Sequence, residues 1–435
     1  MSKYRFFAPN MWVLLLFFCL RMAYADEVTP ITTETYKEGA SQTASTSPIT
    51  FGAQARLRPE VRNNTDYGGN RNYTLLRFRL NTTYRPSSNT QLFFQPQFSK
   101  AFGNPSYTGI SPTANAFQQT SGVFFDTALI VHQAYLDYRP FESLRMVGGR
   151  QIMTYGDELL VGAALGWANV GRSFDAIKFI YTQGNFQTDL FWSRLVDTST
   201  FTKAGTGSAD FAGIYESMKF GKFLQNFDPY LFYLADTRTT ANLSLWTAGI
   251  RLKSSVDQWD YRDEITFQTG SSLPGPQNGF QDDLEFGYTL LPTSKLRVAL
   301  NGFYATPQFN QLFPAAHKWL GVADVLGRRN IYGGGIRSSA SPHSQWNVNL
   351  DLYHFYRVDL NSPLYMLNGL VPLGSANATT SSNVGTELDF NVLYKVSPVI
   401  NLSTGVNTLF ASDYLTSNFG PINPMYAFLE IEARY

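Results

Sequence analysis

The stretch Ile49 to Arg62, ITFGAQARLRPEVR, decides the fold. Phe51, Ala53, Ala55, Leu57 and Pro59 fall on one side of an extended chain, and Gln54, Arg56, Arg58, Glu60 and Arg62 fall on the other. That two-residue period belongs to a strand rather than a helix. Tyr73 to Arg85 repeats it, setting Leu76, Phe78, Leu80 and Tyr84 against Arg77, Arg79, Asn81 and Arg85. Alternation of this kind fits a soluble sandwich with an apolar core. It fits equally a membrane barrel whose apolar face meets lipid and whose charged face lines a lumen.

The spacing of the connections separates the two. Working outward, eighteen such segments follow one another at 49–62, 73–85, 90–100, 127–139, 143–152, 173–182, 186–195, 210–220, 227–237, 244–253, 258–269, 281–291, 295–305, 331–340, 346–357, 384–395, 399–410 and 424–435. Short connections (86–89, 140–142, 183–185, 292–294, 396–398) alternate with longer ones, notably 101–126, 153–172, 306–330 and 358–383. A barrel inserted from the periplasm has short turns on one side and long loops on the other, whereas a sandwich has no reason to alternate. The expected fold is an all-β, transmembrane, antiparallel up-and-down barrel of about 18 strands, with both chain ends on the short-turn side. The last segment alternates Leu429, Ile431, Ala433 and Tyr435 against Glu430, Glu432 and Arg434 and ends on an aromatic residue.

Composition agrees. Aromatic residues make up 15% of the 435, while charged residues also make up only 15%, well below the roughly 25% of soluble domains. Mean hydropathy is nevertheless −0.18, too polar for a bundle of membrane helices. Residues 1–25 read as a signal peptide, with Lys3 and Arg5 before the apolar run Met11–Leu20 and Ala23-Tyr24-Ala25 before Asp26. That run is too short to span a bilayer. Residues 26–48 are rich in Ser and Thr and are expected to form a flexible periplasmic tail, leaving 49–435 as the barrel. The leader takes the only cysteine, Cys19, and three of the 34 basic residues, so 31 basic residues face 33 acidic ones afterwards. Nothing in that balance points to nucleic acid. The expected location is the bacterial outer membrane, in contact with its lipid and lipopolysaccharide.

Enzyme chemistry finds little support. The four histidines are His132, His317, His343 and His354. His343 falls in a short turn, His132 and His354 fall on strand faces that look apolar, and His317 has no nucleophile beside it. No Gly-x-Ser-x-Gly or His-Glu-x-x-His run occurs. No enzyme activity, cofactor or metal is expected. The inward faces are more informative. Parity directs Arg56, Arg58, Arg62, Arg77, Arg79 and Arg85 into the lumen, with Lys178, Arg251, Lys253 and Arg297. Arginine on a lipid face costs about 2–4 kcal/mol at the bilayer midplane. Guanidiniums along a pore make a path for carboxylates. They also brace a barrel by pairing with inward acids, and Glu264, Asp351, Glu387, Asp389, Glu430 and Glu432 point inward too. Glu430 and Glu432, beside the first strand after closure, are placed to neutralise Arg56 and Arg58.

Two stretches carry a resemblance: Gly148 to Lys178, GGRQIMTYGDELLVGAALGWANVGRSFDAIK, and Phe309 to Asn330, FNQLFPAAHKWLGVADVLGRRN. Gly-Arg-Gln closing a strand, Tyr-Gly-Asp, a Trp, and Gly-Arg-Ser-Phe-Asp opening the next strand resemble the alginate-export family of outer-membrane barrels. Asp260-Tyr261 with Glu264 and Gln268 adds to it. The resemblance implies a monomeric barrel with an electropositive constriction that passes an anionic saccharide out of the periplasm, with periplasmic export components as possible partners. It adds Arg150, Arg172 and Asp175 to the expected solute path. Leu159 departs from the pattern, standing where the wider family commonly has Arg. The alternatives are a general or differently selective porin, or a plugged structural or adhesion barrel. The loops 101–126 and 306–330 are long enough to gate the pore from above or within.

Overall fold

A computed structural model describes residues 47–103, 127–163, 167–195, 208–237, 242–272 and 275–435. The signal peptide, nearly all of the N-terminal tail and residues 104–126 of the first expected gate lie outside that set. The described chain forms one closed antiparallel barrel of 18 strands. In chain order they are β1 Ile49–Asn63, β2 Asn70–Ser87, β3 Thr90–Gly103, β4 Thr127–Phe141, β5 Leu144–Gln151, β6 Phe174–Gln183, β7 Phe186–Arg194, β8 Ala209–Met218, β9 Asn226–Asp236, β10 Leu243–Val256, β11 Trp259–Ser272, β12 Gly279–Leu291, β13 Leu296–Ala305, β14 Ile331–Ala340, β15 Trp346–Arg357, β16 Asn383–Lys395, β17 Ile400–Ala411 and β18 Met425–Arg434. Each expected boundary lies within three residues of the observed one.

The barrel closes where β18 pairs with β1, with Arg56 opposite Glu432 and Gln54 opposite Arg434. Backbone bonds between Ala53 and Tyr435 (2.9 and 2.8 Å) finish the seam. Closure leaves no open strand edge, which hydrocarbon could not hydrogen-bond.

Side chains sort as the alternation requires. On β1, Gln54, Arg56, Arg58, Glu60 and Arg62 are buried inside, while Phe51 and Leu57 stand on the outer wall, 73% and 42% exposed. Aromatic pairs mark two belts on that wall. Trp259–Tyr288 and Trp346–Tyr394 lie toward the short turns, and Tyr233–Trp246 and Tyr332–Tyr356 toward the long loops, as amphipathic rings do at the two membrane interfaces. A polar pair interrupts the apolar band between the belts. Asp263 on β11 and Asp282 on β12 are diagonal outward neighbours, since Asp263 faces Leu284 and Ile265 faces Asp282.

Candidate functional site

The lumen is not an empty bore. Residues 152–163 and 167–173, between β5 and β6, and residues 306–330, between β13 and β14, turn inward. Leu159, Leu160 and Val161 from the first and Phe309, Leu312, Phe313 and Trp319 from the second are almost fully buried against inward Phe174, Phe211, Phe303 and Phe355. A parallel bridge joins Val161 to Phe313. Gly162 N donates to Phe313 O (2.8 Å), and Phe313 N donates to Leu160 O (2.7 Å). Leu159, the departure from the family pattern, is 1% exposed within this packing. The core of the molecule therefore sits inside the barrel, and the expectation that 306–330 folds into the pore describes its place. The 152–173 segment, here called the strap, was not expected there.

The strap meets a cationic wall made by β18, β1, β2 and β3. Ala168 O accepts from Arg56 Nη2 (3.1 Å) and Arg77 Nη1 (2.8 Å). Val170 O accepts from Arg79 Nη2 (3.2 Å) and from Gln97 Nε2 (2.9 Å). Beside these, Arg58 pairs with Glu60 (2.6 Å) and Glu430 (3.2 Å), and Arg62 pairs with Glu60 (3.1 Å) and with Asp324 of the second loop (3.0 Å). Arg56 lies 3.6 Å from Glu430, and Arg77 lies 3.6 Å from Glu432. All five guanidiniums face the lumen, as parity requires, but each is at most 2% exposed, Arg56, Arg58, Arg77 and Arg79 against the strap and Arg62 against the second loop. Arg85, the sixth inward assignment on these strands, is exposed at the short-turn rim.

Trp167 ties the two loops to this wall. Its ring lies under Arg58 (4.0 Å) and stacks on His317 (3.6 Å, 5° between planes). Trp167 Nε1 donates to Asp324 Oδ2 (3.2 Å), and His317 Nδ1 lies 2.7 Å from Asp324 Oδ1. Burial works against a charge on Asp324, yet His317 and Arg62 hold its carboxyl down to about 2.

The facing wall, β9 to β15, carries both signs. Arg262 reaches Asp283 (2.7 Å) and Glu285 (3.5 Å), Arg297 pairs with Glu285 (2.8 Å) and Asp260, and Arg337 pairs with Glu285 (2.9 Å) and Asp351 (3.2 Å). Arg328 of the second loop completes the hold on Asp283 (2.5 Å). Glu264, buried beside them, accepts from Tyr230 Oη (3.1 Å). Arg251 and Lys253 on β10 grip Asp157 at the near end of the strap, at 2.8 and 2.9 Å. On β6, Lys178 pairs inward with Asp189 (3.0 Å).

Three expected path residues take other places. Arg150 and Asp175 form a bidentate pair (2.7 and 2.9 Å), but on the outer side of the wall. On β6 the inward set is Phe174, Ala176 and Lys178, so Asp175 and its register partner Arg150 face out. Register continues this pair to Arg194 and Asp210, giving a row of alternating charge at the long-loop end of β5 to β8. Arg172 is inside but lines nothing. Its Nη1 donates to Gly162 O (2.6 Å), Phe313 O (2.5 Å) and Pro314 O (3.3 Å), stapling the two loops. His132 also departs from expectation. A bulge opposite Gln95–Pro96 breaks the parity of β4 there, and the ring is fully buried within electrostatic range of Arg77 and Arg79. His354 does face outward, bonded to Thr386 and Asn383.

Residues 47–420 match the model of a family described as alginate export. The chain belongs to the alginate-export family. Solved structures of outer-membrane porins share its fold. It is similar to opdK from Pseudomonas aeruginosa (TM-score 0.58, 10% identity, covering 89% of this chain and 98% of that one). It is also similar to a BenF-like porin from Pseudomonas fluorescens Pf-5 (0.60, 11%, 89% and 98%) and to OccAB4 from Acinetobacter baumannii (0.62, 7%, 89% and 98%). At these identities the likeness is one of fold. No curated protein matches the sequence. Family and fold together make this alginate-export barrel an outer-membrane channel.

Proposed function

We propose that the channel passes an anionic saccharide, alginate or a related polyuronate, passively across the outer membrane. The observation that carries this reading is the run of Arg56, Arg58, Arg62, Arg77 and Arg79 on adjacent inward faces. A polyuronate carries one carboxylate per sugar, and guanidinium binds carboxylate in a planar, two-pronged geometry. Successive sites of this kind lower the cost of entry, and no single one is strong enough to trap a chain. Family membership supports the same reading. No enzymatic role is proposed, and the driving force is a gradient or periplasmic export components. Lipid and lipopolysaccharide surround the barrel as a monomer.

The densely packed lumen favours a second reading, a porin for small carboxylates. The structural neighbour opdK has been solved with vanillate, itself a carboxylate. Single-channel recording in planar bilayers separates the two. A trimeric uronate should interrupt or carry current at concentrations where maltotriose of equal length does nothing. If vanillate acts and the uronate trimer does not, the small-carboxylate reading replaces the first.

A further inference from the structure

The strap connects adjacent strands β5 and β6 and has no topological need to cross the lumen. It crosses nonetheless, and both ends of the crossing are held by lumen cations. At one end Asp157 accepts from Arg251 Nε (2.9 Å) and Lys253 Nζ (2.9 Å). At the other, the carbonyls of Ala168 and Val170 take Arg56, Arg77 and Arg79. The Asp157 end is built for this approach. Gly156 has φ +57°, and a Cβ there would come within 2.7 Å of Arg251 Cδ and 3.2 Å of Tyr215 Oη. Only glycine admits both that backbone angle and that contact. Burial opposes the charge on Asp157, but Arg251 and Lys253, with Arg262 nearby, hold its carboxyl below the usual range.

We propose that the strap is an internal ligand of the pore: Asp157 fills a carboxylate-binding site made by Arg251 and Lys253, and a uronate carboxylate takes its place and frees the strap. The proposal rests on the polyuronate reading above and adds a specific site and a regulator to it. A free carboxylate is the same chemical group as Asp157, so exchange leaves the two cations paired throughout. Peptide carbonyls are weaker acceptors for guanidinium than carboxylates. Once Asp157 is displaced, further uronates therefore outcompete Ala168 O and Val170 O at Arg56, Arg77 and Arg79. The strap then gives up its hold on both walls, and the polymer that released it occupies the same cations.

The test uses the full barrel in planar bilayers with a uronate trimer as probe and maltotriose as control. Asp157→Asn keeps the shape and removes the charge. It should raise spontaneous opening and lower the uronate concentration needed for half-response by about tenfold, within the usual range for coupled sites. A second variant, Ser99→Cys with Asn169→Cys, tethers the strap to β3, where Ser99 Oγ donates to Asn169 O (3.4 Å). No other cysteine lies in 49–435. The cross-linked barrel should ignore uronate until a reductant restores the response. Heat-dependent gel mobility verifies that each variant is folded. A uronate response that is unchanged in Asp157→Asn and indifferent to the cross-link overturns the internal-ligand proposal and leaves the cargo reading standing. Absence of any uronate response in the wild type, the Asn variant and the reduced tether overturns the cargo reading and this proposal with it.

Discussion

The two sides of the lumen use arginine differently. On β10 to β14 each guanidinium meets carboxylates, largely of the wall itself: Arg262 with Asp283, Arg297 with Asp260 and Glu285, Arg337 with Glu285 and, across on β15, Asp351, whereas Arg357 at the long-loop end of β15 donates to loop carbonyls. On β18 to β3, Arg56, Arg58, Arg62, Arg77 and Arg79 share three wall carboxylates, Glu60, Glu430 and Glu432, and three of the five donate to backbone carbonyls of the strap. A carboxylate cancels a guanidinium's charge, and a carbonyl only solvates it. The first wall is therefore bracing, while the second keeps positive charge under the strap. The same residue type on the same kind of inward face thus serves two ends, and the partner tells them apart.

The largest effect should come from breaking the braced wall. Asp283 is fully buried between Arg262 and Arg328. Asp283→Ala should cost about 3–5 kcal/mol by leaving buried Arg328 without its carboxylate and Arg262 with only its longer contact to Glu285, read as a lower urea midpoint for unfolding from lipid vesicles. On the cationic wall the cost should be smaller and the functional change greater. Arg77→Met removes a charge-assisted bond of about 1.5–3 kcal/mol to Ala168 O, which Arg56 still serves. Stability should fall modestly, and anion preference in bilayers should fall with it. Equal stability losses for the two variants would erase the distinction between the walls.

A third change lies outside both. Asp263 and Asp282 stand on the lipid face between the aromatic belts. Replacing the pair together with leucine should stabilise the barrel by about 1–2 kcal/mol, since buried polar pairs often yield to apolar ones, and leave conductance alone. A loss of stability would mean the pair has a partner in the membrane. The smallest effect at neutral pH concerns Asp324, whose carboxyl lies below its ordinary 3.8, at about 2. A depressed carboxylate contributes its full stabilisation above the unfolded value and loses it as pH falls through the folded one. The loop contact to Arg62 and Trp167 should therefore hold above pH 4 and weaken between about 4 and 2. Hydrogen exchange at the 306–330 backbone amides measures this, and protection unchanged down to pH 2 would contradict it.

The barrel was legible because each strand repeats the same two-residue pattern and each turn confirms its side. Inward arginines followed from parity for the same reason. What parity cannot see is a loop folded into the lumen, and that decided the site. Run 159–167, LLVGAALGW, is too apolar for a loop in water, and that composition was the available signal. Asp157 and Trp167 fall within or just beside that run, and Asp324 lies in the second loop, so none is reached by strand alternation. Arg150 and Asp175 came from a motif rather than from parity, and register places them on the outer wall. His132 was misplaced because one bulge residue shifts the pattern of β4. Arg262 and Arg337 follow the same alternation as Arg251 and Arg297 and were overlooked, although the pattern contains them.

The most direct test of the account is the reversal potential of single channels in a salt gradient, with the wild type beside Arg56→Ala/Arg77→Ala. The five guanidiniums of the β18 to β3 wall, which share three wall carboxylates, predict a potential on the anion-selective side that moves toward zero in the double variant. A cation-selective wild type, or a potential unmoved by loss of both arginines, would contradict it.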